Sequence, residues 1–115
     1  MAPTRIVLSR RAGFDLQAQS QALNGLPAQS VARPGRWGNP FAIADIAEKL
    51  GIDPAAAQAE AVSRFERWIA GELAGNRTPP ALAEIQAALA NKNLACWCRD
   101  GTPCHADILL RLANE

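Results

Sequence analysis

The apolar positions along the chain alternate between short compact runs and helical stripes. Arg5-Ile-Val-Leu-Ser9 is a brief β-branched run closed by Arg10-Arg-Ala-Gly13, and it predicts a buried strand. From Phe14 to Leu26 the pattern is mixed. Leu16, Ala18 and Leu23 admit a short helix over about residues 15–23, stopped by Asn24-Gly25. Gln29-Ser-Val-Ala32 suits a second short strand. Ile43, Ile46, Ala47 and Leu50 recur at helical spacing before Gly51, a good residue for a helix end. Asp53-Pro54 then offers an N-cap and a first-turn proline. The stripe Ala61, Val62, Phe65, Trp68, Ile69 and Leu73 predicts the strongest helix of the chain, ending near Gly75.

A third helical pattern follows Thr78-Pro-Pro80, which reads as its cap. Leu82, Ile85 and Leu89 form its inner face, and Asn91-Lys-Asn93 ends it. Leu94-Ala-Cys-Trp-Cys98 reads as a strand. Period-2 alternation puts Leu94, Cys96 and Cys98 on one face, Ala95 and Trp97 on the other. After the turn Arg99-Asp-Gly101, Thr102 is placed to N-cap and Pro103 to occupy the first helical position. Ile108, Leu109 and Leu112 face inward. The order predicts an α/β fold: one domain over residues 1–115, with a small, mostly parallel sheet of about three strands flanked by about four helices.

Composition narrows the class. With 115 residues the chain supports one core, and 49% apolar with 20% charged residues is the balance of a globular protein. Twelve basic against eleven acidic residues leave a net charge of +1, so nothing global calls for nucleic acid or an anionic membrane. No apolar run approaches the ~20 residues of a membrane span, and the N-terminal apolar run is too short for a signal peptide. The expected location is cytoplasmic, where three cysteines argue for metal ligation, a reactive thiol or plain burial rather than a disulfide.

The chemistry is concentrated. All three cysteines and the single histidine lie between Cys96 and His105. Cys96, Cys98, Cys104 and His105 are the ligand set of a closed Cys3His zinc site. Against that stands spacing: two ligands in a strand, and two adjacent ones pointing about 100° apart if both are helical. A second reading uses the start of the last helix, where unpaired N–H groups favour anions and lower a thiol pKa. Cys104, His105 and Asp107 are then the catalytic candidates, with Asp107 orienting His105 or a ligand hydroxyl. A third reading is packing, since free cysteine behaves as a small hydrophobe. The loop Arg33-Pro-Gly-Arg-Trp-Gly-Asn-Pro-Phe41 forbids regular structure yet carries two arginines and two aromatics. Arg33 and Arg36 suit a phosphate or carboxylate, Trp37 a base or sugar, and Asn39 an amide or hydroxyl. A rigid turn plugging the core with Trp37 and Phe41 explains the same residues.

Arg33-Pro-Gly-Arg-Trp-Gly-Asn-Pro-Phe41 paired with Leu94-Ala-Cys-Trp-Cys98 and Pro103-Cys-His-Ala-Asp107 resembles a bacterial and phage family known as DUF4326, a domain of unknown function. The likeness covers nearly the whole chain from Ile6, with a Phe14–Pro27 segment longer than in many members. It implies that the two motifs form one site, and it supplies no reaction and no cofactor. The combined expectation is a pocket between the Arg33–Phe41 loop and the Cys96–Asp107 turn, holding a phosphorylated or nucleotide-like small molecule. The alternatives are a zinc-binding structural module, and a nucleic-acid or protein interaction module using Arg5, Arg10, Arg11, Arg33 and Arg36.

Overall fold

A computed structural model describes residues 2–115. Three parallel strands, β1 (Arg5–Val7), β2 (Ala28–Ser30) and β3 (Asn93–Cys96), form a sheet in the order β1-β3-β2. The last strand in sequence is therefore the central one. Ile6 stands beside Ala95, and Ala28 beside Asn93. All four residues of β3 are buried, as a central parallel strand covered on both faces must be.

Five helices surround the sheet: α1 (Leu16–Asn24), α2 (Ile43–Leu50), α3 (Pro54–Ile69), α4 (Leu82–Leu89) and α5 (His105–Ala113). The short helix that the mixed segment admits over about residues 15–23 forms as α1, fixed by local capping. The Asp15 carboxylate accepts from the Ala18 N–H, and Gly25 closes the end at φ 76°. Ile6, Ala28 and Ala95 form an inner face with Leu8 and Leu16, so α1 covers one side of the sheet. On the other side Leu94 and Cys96 meet Phe65 and Trp68 of α3, Ile85 and Leu89 of α4, and Ala106 and Leu109 of α5. The result is three layers, with α2 packed outside α3 through Ile46, Ala57 and Ala61.

Asn93 ties the first layer to the sheet. Its Oδ1 accepts from the Thr4 N–H (3.0 Å) and Asn24 Nδ2 (2.9 Å). Its Nδ2 donates to Ser20 Oγ (2.7 Å) and Asn24 Oδ1 (2.8 Å).

The strands stop at Val7, Ser30 and Cys96, short of the expected Ser9, Ala32 and Cys98, and three helix ends also differ from the pattern. The α3 stripe suggests an end near Gly75, but the helix stops at Ile69 and turns at Gly71 (φ 81°). The chain then folds back over Trp68, whose Nε1 donates to the Arg77 carbonyl at 3.1 Å. Thr78 does not cap α4; Ala81 stands at its N-cap with no side-chain bond, and Leu82 is 51% exposed. The last helix starts at His105, not near Pro103: Thr102 Oγ1 donates to the Arg99 carbonyl instead and stays in the turn.

The fold-back requires glycine at position 75. A Cβ there would lie 2.6 Å from Trp68 Nε1 and 2.9 Å from Cδ1. Trp68 is fully buried and cannot yield, so Gly75→Ala is expected to cost about 2 kcal/mol by overpacking. Urea denaturation checks this: the midpoint falls while the slope is unchanged. An unshifted midpoint would show that the fold-back is not packed on the indole.

Candidate functional site

The carboxyl end of β3 carries the chemistry. Alternation there is as the sequence suggests, with Cys96 and Cys98 toward the core side and Trp97 turned away. The decisive residue is Cys104. It is the N-cap of α5, not part of its first turn, and its backbone is extended (φ −151°, ψ 141°). The 100° divergence expected of two helical neighbours therefore does not apply. Cys104 Sγ lies 3.9 Å from His105 Nδ1, and Cys96 Sγ lies 3.9 Å from Cys98 Sγ. The ligand atoms of Cys96, Cys104 and His105 all fall within 4.8 Å of one another, and all three residues are buried.

The imidazole is locked. Its Nε2 lies 2.7 Å from the Val31 carbonyl, which only accepts, so Nε2 carries a proton. In the neutral ring Nδ1 then presents its lone pair to the thiols. The Phe65 ring holds the imidazole edge-on at 5.1 Å between centroids. A histidine that ligates a metal through one nitrogen donates the other to a carbonyl or carboxylate in this way.

The three thiols titrate as a unit. Hydrogen bonds from Cys104 first, then Cys98, pull the Cys96 thiol well below the ordinary range, against its burial. The same contacts, with burial added, push the Cys104 thiol far up.

A cleft of about 330 Å³ opens onto this cluster. Phe41, Ile43, Val62 and Trp97 give it an apolar wall, and Arg33 and Asn39 also line it. The two sequence motifs thus do meet, but not all of their polar residues reach the cleft. Cys104, His105, Arg33 and Asn39 line it; Arg36, Trp37 and Asp107 do not. Arg36 forms a two-pronged pair with Glu84, Nε at 2.7 Å and Nη2 at 2.6 Å. Trp37 packs half-buried against the core. Asn39 is buried and bridges two elements, donating to the Ala61 carbonyl and accepting from the Phe41 N–H. The Asp107 carboxylate is exposed and bonded to Arg5 at 2.9 Å. Arg5 in turn donates to the Thr102 and Arg99 carbonyls, clamping the turn that carries the cluster.

Two contributors escape the sequence. The Val31 carbonyl has no signal, because every residue has a carbonyl. Trp97 had one, its place between two candidate ligands; it lies just past β3 and is 44% exposed.

Among the described residues no helix is long and apolar enough to cross a membrane. The sequence profile of one family, described as "Domain of unknown function (DUF4326)", matches residues 16–115. No curated protein and no solved structure matches the chain.

Proposed function

The chain belongs to the DUF4326 family, and from the geometry of its cysteine and histidine cluster we propose that the domain is a metal-binding module whose zinc-class ion sits at the floor of a small-molecule cleft. Cys96, Cys104 and His105 supply three ligands, and the fourth position faces Cys98 and the cleft. One observation carries the reading: His105 has its Nε2 fixed on the Val31 carbonyl and its Nδ1 turned to the thiols.

Distances support it. With Zn–S about 2.3 Å and Zn–N about 2.0 Å, tetrahedral ligand atoms lie about 3.5–3.8 Å apart. Cys96–Cys98 and Cys104–His105, at 3.9 Å each, need only a small contraction, and the atoms of Cys96, Cys104 and His105, all within 4.8 Å of one another, close by at most about 1 Å. Thiolate and imidazole are ligands of zinc or iron(II) rather than of magnesium or calcium. Plain packing accounts less well for the cluster, because it gives no reason for an imidazole at the centre of an apolar core. Cys98 is half-buried beside the other three, so the fourth position is filled either by its thiolate or from the cleft. The cleft itself favours an anionic small molecule, with Arg33 as the charged group on its lining.

Elemental analysis of protein purified without chelator tests the proposal. About one zinc or iron per chain is expected, falling sharply in Cys96→Ser and Cys104→Ser. Substoichiometric metal, with a melting temperature indifferent to chelator, would sink it.

A further inference from the structure

The carboxyl edge of the sheet bears a second pattern. Arg10 follows β1, Arg33 follows β2 and Arg99 follows β3. Among the described residues none of the three forms an ion pair with a carboxylate. In open α/β sheets the space beyond these strand ends is where ligands sit. Here that space is divided by Trp97. Its ring borders the cleft over the cluster and a shallower depression lined by Ile43, Gln58 and Arg99. The Arg10 guanidinium lies 4.4 Å from the indole centroid and so holds the ring through a cation–π contact.

A pure anion leaves the apolar wall of Phe41, Ile43, Val62 and Trp97 without a partner. A purely apolar ligand leaves Arg33 without one. A compound with a flat aromatic part and a phosphate satisfies both. At about 330 Å³ the cleft is at the small end of ligand sites, which suits one nucleotide and not a dinucleotide. The net charge of +1 gives little attraction for a long polyanion.

We infer that the cleft binds a nucleoside monophosphate, its base stacked on Trp97 and its phosphate held by Arg33. This rests on the reading of the cleft as a ligand site and does not require the metal. Arg10 steadies the stacking ring from outside the cleft, and Arg99 adds positive potential at its rim.

The test is calorimetric titration of the metal-replete protein with AMP, GMP, CMP, UMP, adenosine and inorganic phosphate. At least one monophosphate is expected to bind at least tenfold more tightly than adenosine or phosphate alone. Trp97→Leu and Arg33→Gln are each expected to weaken it about tenfold, with melting temperature and metal content unchanged. Absence of binding for all four monophosphates at millimolar concentration overturns the inference, as does binding indifferent to Trp97→Leu. So does a short single-stranded oligonucleotide that binds more tightly than any monophosphate. The titration is repeated after chelation. Monophosphate binding by protein that never held metal upholds this inference and defeats the metal proposal; stoichiometric metal without monophosphate binding does the reverse.

Discussion

His105→Ala is expected to lower the melting temperature by more than about 12 °C and to abolish its response to chelator. Three losses combine. The ring is buried, so its removal opens a cavity beside Phe65 and Cys104. The Val31 carbonyl loses its 2.7 Å partner in a place with no substitute. The proposed metal site loses a ligand. The first two terms alone come to about 3 kcal/mol. For a domain of this size each kcal/mol moves the melting temperature by about 4 °C. Differential scanning fluorimetry with and without 1,10-phenanthroline separates the contributions. The wild type melts lower with chelator, and the variant melts low in both conditions. Acidification should reproduce the chelator's effect, because protons compete with the metal for the thiolates and the neutral imidazole, so metal affinity falls as pH falls. A variant that still responds to chelator as the wild type does would place the metal elsewhere.

Asn93→Leu is expected to cost about 4 kcal/mol, a large share of the 5–15 kcal/mol that a domain commands. The side chain is fully buried and its carboxamide makes four hydrogen bonds. Leucine is of similar size and fills the space, so the loss is not a cavity. The cost comes from what is stranded: the Asn24 amide, the Ser20 hydroxyl and the Thr4 N–H lose partners, at about 1–3 kcal/mol for each one left dry. Urea denaturation measures the total, and metal analysis of the still-folded variant is expected to show full loading. A loss under about 1 kcal/mol would mean that water reaches these groups when the carboxamide is gone.

The elements that rest on local chemistry were readable. Gly25, Gly51, and Asp53 with Pro54 mark helix ends by side chains and φ values that act within a few residues. What local pattern could not show was competition from a distance. Leu73 extends the α3 stripe, but the return of Arg77 to the Trp68 indole ends the helix first. Thr102-Pro103 has the form of a helix start, but Arg5, ninety-seven residues earlier, holds the Thr102 carbonyl in the turn. The site divides the same way. The crowding of cysteine and histidine into one window pointed to the cluster, while Arg36 looked available only because Glu84 lies forty-eight positions on. Trp37 takes the core-plugging alternative, and alternation turned Trp97 off the core face without showing whether a helix waits on the other side.

The central place of β3 also sets the order of assembly. β1 and β2 bond to β3 and not to each other, so neither acquires a strand partner until the chain has reached residue 93. Arg5 must find Leu94 across almost the whole sequence, and such long closures slow folding relative to local helix pairing. During synthesis α2 and α3 can pair early, while the sheet waits for its last strand. Cys96 ends that strand and Cys98, Cys104 and His105 follow it, so sheet closure and the gathering of the cluster belong to one late event.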